Sequence, residues 1–314
     1  MSAYVYKMSP LFKDKIWGGR NLERMYNKPL PAGLLIGESW ELADLVEGES
    51  AVANGRRAGQ TLNQLVREEG KSLIGESPLQ PNGRFPLLLK LLDANDTLSL
   101  QVHPDEDAAR RIPGAALKTE CWYILESRGG YIYKGLKPGV TAQTFRAALA
   151  NDDVTELLQR YDVQAGDFYY LPAGTVHALG AGVVVAEVQT PSDTTYRVSD
   201  WGRGREIHVE RAMECIHFVP DTNDAPGAGG ECLLKTPYFH VYHRSARPGM
   251  HPVAQGRCVS WMILHGEGNV RCDSHDGAVS FLAGDTLLLP AGARDVTVTV
   301  TQPADWLETT LPPF

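Results

Sequence analysis

The sequence predicts a mainly β protein built from two modules of the same kind. Short runs of Val, Ile, Leu, Tyr and Trp, separated by Gly, Pro, Asn and Asp, dominate from Phe85 onward, which is typical of antiparallel sandwiches and barrels. The stretch GDFYYLPAGTVHAL, which begins at Gly166, returns as GDTLLLPAGARDVT from Gly284. A length of 314 residues is sufficient for two hydrophobic cores.

The repeat extends towards the N-terminus of each copy. CWYILESRGGYIYKG, from Cys121, resembles SWMILHGEGNVRCDS, from Ser260, and each reads as a strand, a glycine-containing turn and a second strand. We therefore predict a repeating unit that consists of a β-hairpin followed by the strand between the glycine and the proline.

A few helices and one linker interrupt the strands. Three stretches predict helices. QTLNQLVREEG has the Thr61 to Gln64 spacing of a capping box, and PDEDAARRI begins with Pro104. The segment near 141–161 has apolar residues at helical spacing. FVPDTNDAPGAGGE is rich in Pro, Gly, Asp and Asn and lacks apolar periodicity, which predicts a linker and a boundary near 220–232. The predicted domains are 1–225 and 233–314.

Composition narrows the classes of partner and the cellular location. The formal charge of −8 argues against binding to nucleic acid, which needs clustered Lys and Arg. The sequence shows neither the pattern of a signal peptide nor an apolar run long enough for a membrane span, so we expect a cytoplasmic protein without a membrane partner. The five cysteines form no CxxC pair, and we expect structural or surface thiols.

One corner of the first copy carries the features of a metal site. The spacing of Gly166, Pro172, Gly174 and His177 resembles the second sequence motif of the cupin superfamily, which consists of small jelly-roll barrels. The resemblance implies that this histidine ligates a metal and that the other ligands lie upstream. The candidate ligands there are Gln101 and His103 in LSLQVHPDED, and Glu120 in KTECWYIL.

The alternation of a β-strand places Gln101 and His103 on the same face, so both can reach one ion. Two imidazoles, a carboxylate and an amide oxygen suit Zn²⁺, with Fe²⁺ and Mn²⁺ as alternatives. A histidine, glutamine or glutamate on a single strand is commonly structural. The combination of all four within one cupin-like frame favours a metal site.

Nearly the whole chain resembles the class I mannose-6-phosphate isomerases of the short bacterial type. The matching stretches are IWGGRNL, GESWELAD, FPLLLKLLDANDTLSLQVHPDEDAAR, KTECWYIL, LPAGTVHAL and TTYRVSDWGR. The resemblance implies a zinc-dependent aldose–ketose isomerase of carbohydrate metabolism with one zinc ion per chain. It also implies that Gln101, His103, Glu120 and His177 are the ligands and that Arg197 is the active-site arginine.

Isomerisation of an aldose moves a proton between C1 and C2 through an enediolate, which requires a base and groups that stabilise an oxyanion. Glu187, in AEVQTPSD, matches a carboxylate position of the family and is our candidate acid/base, with a buried structural glutamate as the alternative. Lys90 lies in an otherwise apolar strand, which favours a lysine that faces a pocket. The predicted phosphate-binding residues are Ser99, Lys118, Arg197 and Arg203.

One position departs from the family pattern. Many longer relatives resemble HPxK after the histidine, whereas Asp105 and Glu106 follow Pro104 here. An expected cation is therefore missing, which leaves open both the phosphate site and the choice among hexose phosphates. The two acidic residues also favour the start of the PDEDAARRI helix through its dipole.

Two other classes of function remain open. A metal-dependent cupin dioxygenase would use the same barrel, but it leaves GESWELAD and TTYRVSDWGR unexplained. A non-catalytic sugar-binding cupin would keep the pocket and lose ligands or Arg197, all of which are present. We expect a small sugar phosphate as substrate and a monomer or weak homo-oligomer.

The second copy keeps the turns and loses the metal-binding side chains. Asp295 replaces the histidine, and Val259 stands in the place of Glu120 when the two WxIL segments are aligned. We therefore predict that 233–314 forms a metal-free cupin barrel that supports the first barrel.

Overall fold

The computed structural model describes residues 3–151, 153–219, 231–253, 255–273 and 277–313. Within them strands dominate, which confirms the prediction of a mainly β protein. The strands of the first half are β1 (Tyr6–Ser9), β2 (Leu11–Gly19), β3 (Ile36–Leu42), β4 (Asp44–Leu45), β5 (Gly48–Glu49), β6 (Ala51–Val52), β7 (Leu88–Ala94), β8 (Leu100–Val102), β9 (Glu120–Ser127), β10 (Tyr131–Leu136) and β11 (Leu158–Asp162). Those of the second half are β12 (Phe168–Leu171), β13 (His177–Leu179), β14 (Val183–Gln189), β15 (Tyr196–Ser199), β16 (Cys232–Lys235), β17 (His240–Ala246), β18 (Gly249–Pro252), β19 (Val259–His265), β20 (Glu267–Arg271), β21 (Val279–Leu282), β22 (Thr286–Leu289), β23 (Thr297–Val300) and β24 (Ala304–Thr310).

Short helices decorate the sheets. They are α1 (Asn21–Tyr26), α2 (Leu62–Glu69), α3 (Lys71–Ile74), α4 (Glu106–Arg111), α5 (Ala142–Ala150) and α6 (Val209–Cys215), with 3₁₀ turns at Gly55–Arg57 and Val154–Leu157. No helix of the described residues has the length and apolarity needed to cross a membrane.

The sequence patterns predicted α2, α4 and α5, with one error in extent, and missed α1, α3 and α6. The capping box between Thr61 and Gln64 is present, and the side chain of Asp105 caps α4 by accepting a hydrogen bond from Ala108 N. The helical prediction for 141–161 is wrong at its end, because Leu158–Asp162 forms β11. This segment pairs with β10 and exposes alternate residues, so cross-strand pairing outweighs its helical periodicity.

The first β-sandwich has a six-stranded sheet in the order β12-β9-β14-β7-β3-β2 and a five-stranded sheet in the order β11-β10-β13-β8-β15. A core lies between them, to which both sheets contribute buried side chains. Along β14, Val183 and Val185 face this core. Glu187 occupies the next position of the same alternation, so a carboxylate stands where the pattern otherwise places valine.

The second β-sandwich includes strands from both ends of the chain. Its seven-stranded sheet has the order β16-β17-β24-β19-β22-β1-β6, and its four-stranded sheet the order β18-β23-β20-β21. Tyr6 of β1 pairs with Leu288 of β22, so an N-terminal strand extends a sheet that is otherwise mostly C-terminal. The predicted boundary itself falls on 220–232, of which 220–230 lie outside the described residues.

The predicted hairpins are wrong in one respect. β9 and β10 are consecutive in sequence but belong to opposite sheets of the first sandwich. In the same way, β19 and β20 belong to opposite sheets of the second sandwich. The turn between β9 and β10 therefore carries the chain across the edge of the sandwich. A glycine is needed there, because a Cβ on Gly130 would lie 2.3 Å from Val183 Cγ2.

The two sandwiches share a continuous apolar cluster. Val184, Ala186 and Val188, on the other face of β14, belong to a cluster that includes Val241 and Met262 of the seven-stranded sheet. Every residue of β14 is consequently buried. The second sandwich therefore covers the flank of the first.

The pairing registers establish which positions of the two copies correspond. Leu171 pairs with Glu120 in the first copy, and Leu289 pairs with Val259 in the second. Because Leu171 and Leu289 stand at the same place after their glycines, Val259 corresponds to Glu120, as the alignment of the two WxIL segments predicts. Asp295 lies exposed in the left-handed region, with φ of 49°.

Candidate active site and metal centre

Three predicted ligands converge inside the first sandwich. His177 begins β13 and pairs with Gln101 of β8, His103 follows the end of β8, and Glu120 begins β9. One potential ligand atom from each of His103, Glu120 and His177 lies within 4.8 Å of the others, and all three residues are buried. Among the described residues, this is the one group of three or more His, Cys, Asp and Glu side chains with such geometry.

The backbone fixes the tautomer of both histidines. His103 Nδ1 lies 3.0 Å from the carbonyl oxygen of Thr194, and His177 Nδ1 lies 2.9 Å from that of Thr175. A carbonyl oxygen only accepts, so each Nδ1 carries the proton and donates it. Each Nε2 lies towards Glu120, at 3.5 Å for His103 and 3.2 Å for His177, and is the ring nitrogen that is available to a metal ion.

The donor atoms of this group fit a metal ion. His103 Nε2 and both carboxylate oxygens of Glu120 are buried and form no hydrogen bond with any described residue. Burying polar atoms without partners is unfavourable, and a cation that accepts their lone pairs removes the penalty. The residues present therefore suit a divalent cation.

The charge states of these ligands also suit a cation. Burial lowers the pKa of His103 to about 3, and the positive charge of Lys118 adds to this effect. Burial alone would raise the pKa of Glu120, but Lys118, with its Nζ at 3.0 Å, and the two histidines hold that pKa well below its usual range. At neutral pH the group therefore offers a neutral imidazole at His103 and an ionised carboxylate.

The fourth predicted ligand, Gln101, lies beside the group. Its Nε2 stands 3.2 Å from His177 Nε2, and its Oε1 lies 3.5 Å from the hydroxyl of Ser99. Rotation of the terminal amide by 180° exchanges the two atoms without moving the rest of the side chain and directs the oxygen towards the histidine pair.

A cavity of about 240 Å³ opens beside the metal-ligand group. It contains five cationic side chains and three acidic ones, and Gln101 connects it to the ligands. Its lining consists of Lys15, Trp17, Glu38, Lys90, Leu92, Leu98, Ser99, Gln101, Lys118, Glu187, Asp193, Thr195, Arg197 and Arg205. The excess of positive side chains favours an anionic ligand.

A row of alternating charges crosses neighbouring strands of the six-stranded sheet at this cavity. Glu187 of β14 faces Lys90 of β7 with 3.2 Å between Oε1 and Nζ, and Glu38 of β3 lies 3.8 Å from the same Nζ. Lys15 of β2 lies 3.1 Å from Glu38. The prediction that Lys90 faces a pocket is confirmed, because its charge lies between two carboxylates at the cavity lining.

This row sets the protonation behaviour of its members. Burial and the nearby charge of Glu120 raise the pKa of Glu187, although Lys90 opposes them. Burial lowers the pKa of Lys90, but the charges of Glu187 and Glu38 outweigh burial and raise it above its ordinary value. Glu187 is therefore a carboxylate with increased proton affinity beside a permanent cation, which is a suitable arrangement for a general base.

The predicted phosphate-binding residues do not all reach the cavity. Ser99, Lys118 and Arg197 line it, and Arg197 Nε is buried without a hydrogen bond to any described residue. The structure does not bring Arg203 to the lining. Its guanidinium instead donates to the carbonyl oxygens of Thr97 and Asp200 and to the carboxylates of Asp96 and Asp200.

Sequence reasoning missed Arg205, Glu38, Lys15 and Trp122. Arg205 lies two residues after Arg203 and lines the cavity, where its Nε donates to Asp200 at 2.9 Å. Glu38 stands inside the quoted stretch GESWELAD, where Ser39 and Glu41 are also polar, so no interrupted apolar run distinguished it. The sequence around Lys15 and Trp122 did not indicate a functional site, because their contacts with Glu38 and Glu187 depend on which strands become neighbours.

The fold and this buried His/Glu/His group, which is suited to a metal ion, are those of a cupin protein. The family model for the catalytic domain of type I phosphomannose isomerase matches residues 5–127. The mannose-6-phosphate isomerase of Streptococcus mutans is 35% identical over 305 residues, which cover 92% of this chain and 93% of that protein. The chain therefore belongs to the type I mannose-6-phosphate isomerase family.

Solved structures agree with this membership. The crystal structure of mannose 6-phosphate isomerase from Bacillus subtilis has a TM-score of 0.87 and 31% sequence identity, and the match covers 98% of this chain and 99% of that one. A mannose 6-phosphate isomerase bound with zinc and yttrium has a TM-score of 0.76 at 17% identity, over 98% of this chain and 100% of that one, and supports the fold alone. The predicted two-barrel cupin architecture is confirmed.

The charge row makes stability depend on pH through Glu38. Burial would raise the pKa of Glu38, but Lys90, Lys15 and the indole N–H of Trp40 lower it to about 2. An unfolded glutamate titrates near pH 4.3, so the stabilisation from ionised Glu38 is complete above about pH 4.3 and is lost as the pH falls towards 2.

We expect Glu38→Gln to lose about 2–4 kcal/mol of unfolding free energy at pH 6, because Lys90 loses a buried counter-charge. The difference between the wild type and this variant should shrink between pH 4.5 and pH 2. Urea unfolding of both proteins over this range measures it. A difference that stays constant down to the lowest pH would contradict the assignment to Glu38.

Proposed function

We propose that this protein catalyses the interconversion of mannose 6-phosphate and fructose 6-phosphate. The observation that carries the proposal is the juxtaposition of a buried His/Glu/His metal-ligand group with a cationic cavity that also contains the carboxylate of Glu187. A dioxygenase or a simple sugar-binding role would not require a buried base beside the cavity. The names of the family members similar to this chain support the same substrate.

His103, Glu120 and His177, with Gln101, would hold one zinc ion per chain. When bound, the zinc ion supplies a Lewis acid that stabilises negative charge on the sugar oxygens. The ligands support this proposal through their chemistry, because imidazole and carboxylate are common zinc donors and both imidazoles present Nε2.

Glu187 would act as the acid/base on the open-chain sugar. Its Oε1 takes the proton from C2 of mannose 6-phosphate, which gives an enediolate, and the proton is delivered to C1. The hydroxyl proton passes from O2 to O1, so that C1 becomes a CH₂OH group and C2 a carbonyl. Lys90 limits the negative charge that accumulates beside the enediolate, and Arg197 stabilises the oxyanion.

The phosphate would bind where the cavity offers cations that the protein does not fully neutralise. Arg197 has a buried Nε without a hydrogen bond to any described residue, and Arg205 lies on the same lining. Ser99 and Lys118 complete the set of donors. Arg205 replaces Arg203 in this proposal, since Arg205 lines the cavity and Arg203 does not.

The remaining expectations about the whole protein belong to the same proposal. We expect it to act in the cytoplasm on a small sugar phosphate as a monomer or weak homo-oligomer. The second barrel would bind no metal, since Val259 and Asp295 stand in place of a ligand glutamate and histidine.

We expect the purified protein to convert mannose 6-phosphate to fructose 6-phosphate and to carry about one divalent ion, mainly zinc, per chain. Chelation should abolish turnover, and His103→Ala and His177→Ala should each lose both metal and activity. Elemental analysis beside a coupled assay measures this. Asp295→Ala is the matched control and should keep both values within about twofold, because changes at exposed positions typically act within about 0.5 kcal/mol. Full turnover in a metal-free preparation would refute the proposed role of the metal.

We expect Arg197→Ala to lower kcat by about 10²-fold and to leave the metal content unchanged, as for a group that pairs with charge in the transition state. Steady-state kinetics with mannose 6-phosphate separate kcat from KM. If only KM rises, Arg197 binds the ground state and does not stabilise the oxyanion.

A further inference from the structure

Both barrels contain the same contact between a tryptophan and a glutamate. In the first barrel, Trp122 Nε1 donates to Glu187 Oε2 at 2.8 Å. In the second, Trp261 Nε1 donates to Glu308 Oε2 at 3.0 Å. Each tryptophan stands directly opposite its glutamate across paired strands, β9 with β14 and β19 with β24. The matching strand registers of the two barrels make these two pairs equivalent.

The two glutamates differ at the other carboxylate oxygen. Glu308 Oε1 accepts a hydrogen bond from Arg244 Nε at 3.2 Å, and Arg244 Nη2 lies 3.1 Å from the same oxygen. Glu187 Oε1 is buried and accepts no hydrogen bond from any described residue, and Lys90 Nζ lies 3.2 Å away. Both oxygens therefore accept hydrogen bonds in the second barrel, whereas in the first only Oε2 does and Oε1 lies beside the Lys90 ammonium, with both residues in the cavity lining.

The tryptophan contact distinguishes the two oxygens of Glu187 chemically. An indole N–H can only donate a hydrogen bond. The oxygen that accepts this bond must present a lone pair to it, so a proton on that oxygen is disfavoured. The contact also fixes the rotation of the carboxylate plane. The oxygen that remains for exchange of a proton with a substrate is Oε1, which lies beside the Lys90 ammonium and accepts no hydrogen bond from any described residue.

We propose that Trp122 is a positioning residue for isomerisation, which holds Glu187 Oε2 so that Oε1 exchanges the proton with the sugar. This inference rests on the proposed acid/base role of Glu187. Orientation of a reacting group within a fraction of an ångström contributes strongly to rate, and its loss acts on turnover more than on substrate binding.

The first variant must remove the N–H and keep a ring, because the ring of Trp122 also stands edge-on to His177 with 5.5 Å between centroids. We expect Trp122→Phe to lower kcat by about tenfold or more, with KM within about threefold of the wild type and an unchanged metal content.

Trp261→Phe provides the matched control, since it removes an equivalent indole N–H from the barrel that lacks the ligand group. We expect this variant to keep the kcat, KM and metal content of the wild type. Urea unfolding of both variants reports the structural contribution of each contact. An unchanged kcat in Trp122→Phe, or an equal fall in both variants, would overturn the inference.

A double-mutant cycle tests whether Trp122 acts through Glu187. Glu187→Gln should be nearly inactive, and adding Trp122→Phe to it should change the residual kcat by less than about twofold. A second fall as large as the first would show that Trp122 acts through another group and would overturn the inference. Wild-type turnover in Glu187→Gln would refute the proposed base, and this inference with it. An inactive Glu187→Gln beside a fully active Trp122→Phe would refute the positioning role alone.

Discussion

The site depends on one constraint, which is that a charge inside a β-sandwich needs an opposite charge close by. Lys90 lies in the middle of a strand whose seven residues are all buried, and the sheet supplies Glu187 and Glu38 on the two neighbouring strands. Isolated, any of these groups would become neutral or destabilise the fold. Arranged in a row, they remain charged and keep the cavity polar. The same rule applies at the ligand group, where the ammonium of Lys118 lies 3.0 Å from Glu120.

The sequence was sufficient for those parts of the site that depend on local spacing. The resemblance of the Gly, Pro and His spacing to a cupin motif implied the ligands, and strand alternation placed Gln101 and His103 on one face. Lys90 was noticeable because a cation interrupts an apolar run. Partners across strands were harder to predict, since the neighbours of β7 come from β3 and β14, which are far from it and from each other in sequence. The choice between Arg203 and Arg205 depended on how the loop after β15 turns around Asp200, and spacing alone does not specify that.

The second barrel shows which features belong to the architecture and which to the chemistry. It keeps the strand register, the Trp–Glu contact and a cation beside the glutamate, which is Arg244 where the first barrel has Lys90. It has Val259 in place of Glu120, so the retained contact can form without a metal-ligand group nearby. At the cavity and ligand group of the first barrel, five buried polar atoms form no hydrogen bond with any described residue, namely His103 Nε2, both oxygens of Glu120, Glu187 Oε1 and Arg197 Nε. At the protein surface, water would form hydrogen bonds with these atoms. In a buried site, they remain available to a ligand.

The pairing of β1 with β22 has a consequence for the order in which the molecule assembles. The ribosome makes Tyr6–Ser9 long before its partner Thr286–Leu289. Until the partner has been made, the edge of β1 that faces it stays unpaired. Closure of the seven-stranded sheet therefore waits for β22, and the two sandwiches mature as one unit despite their repeated plan.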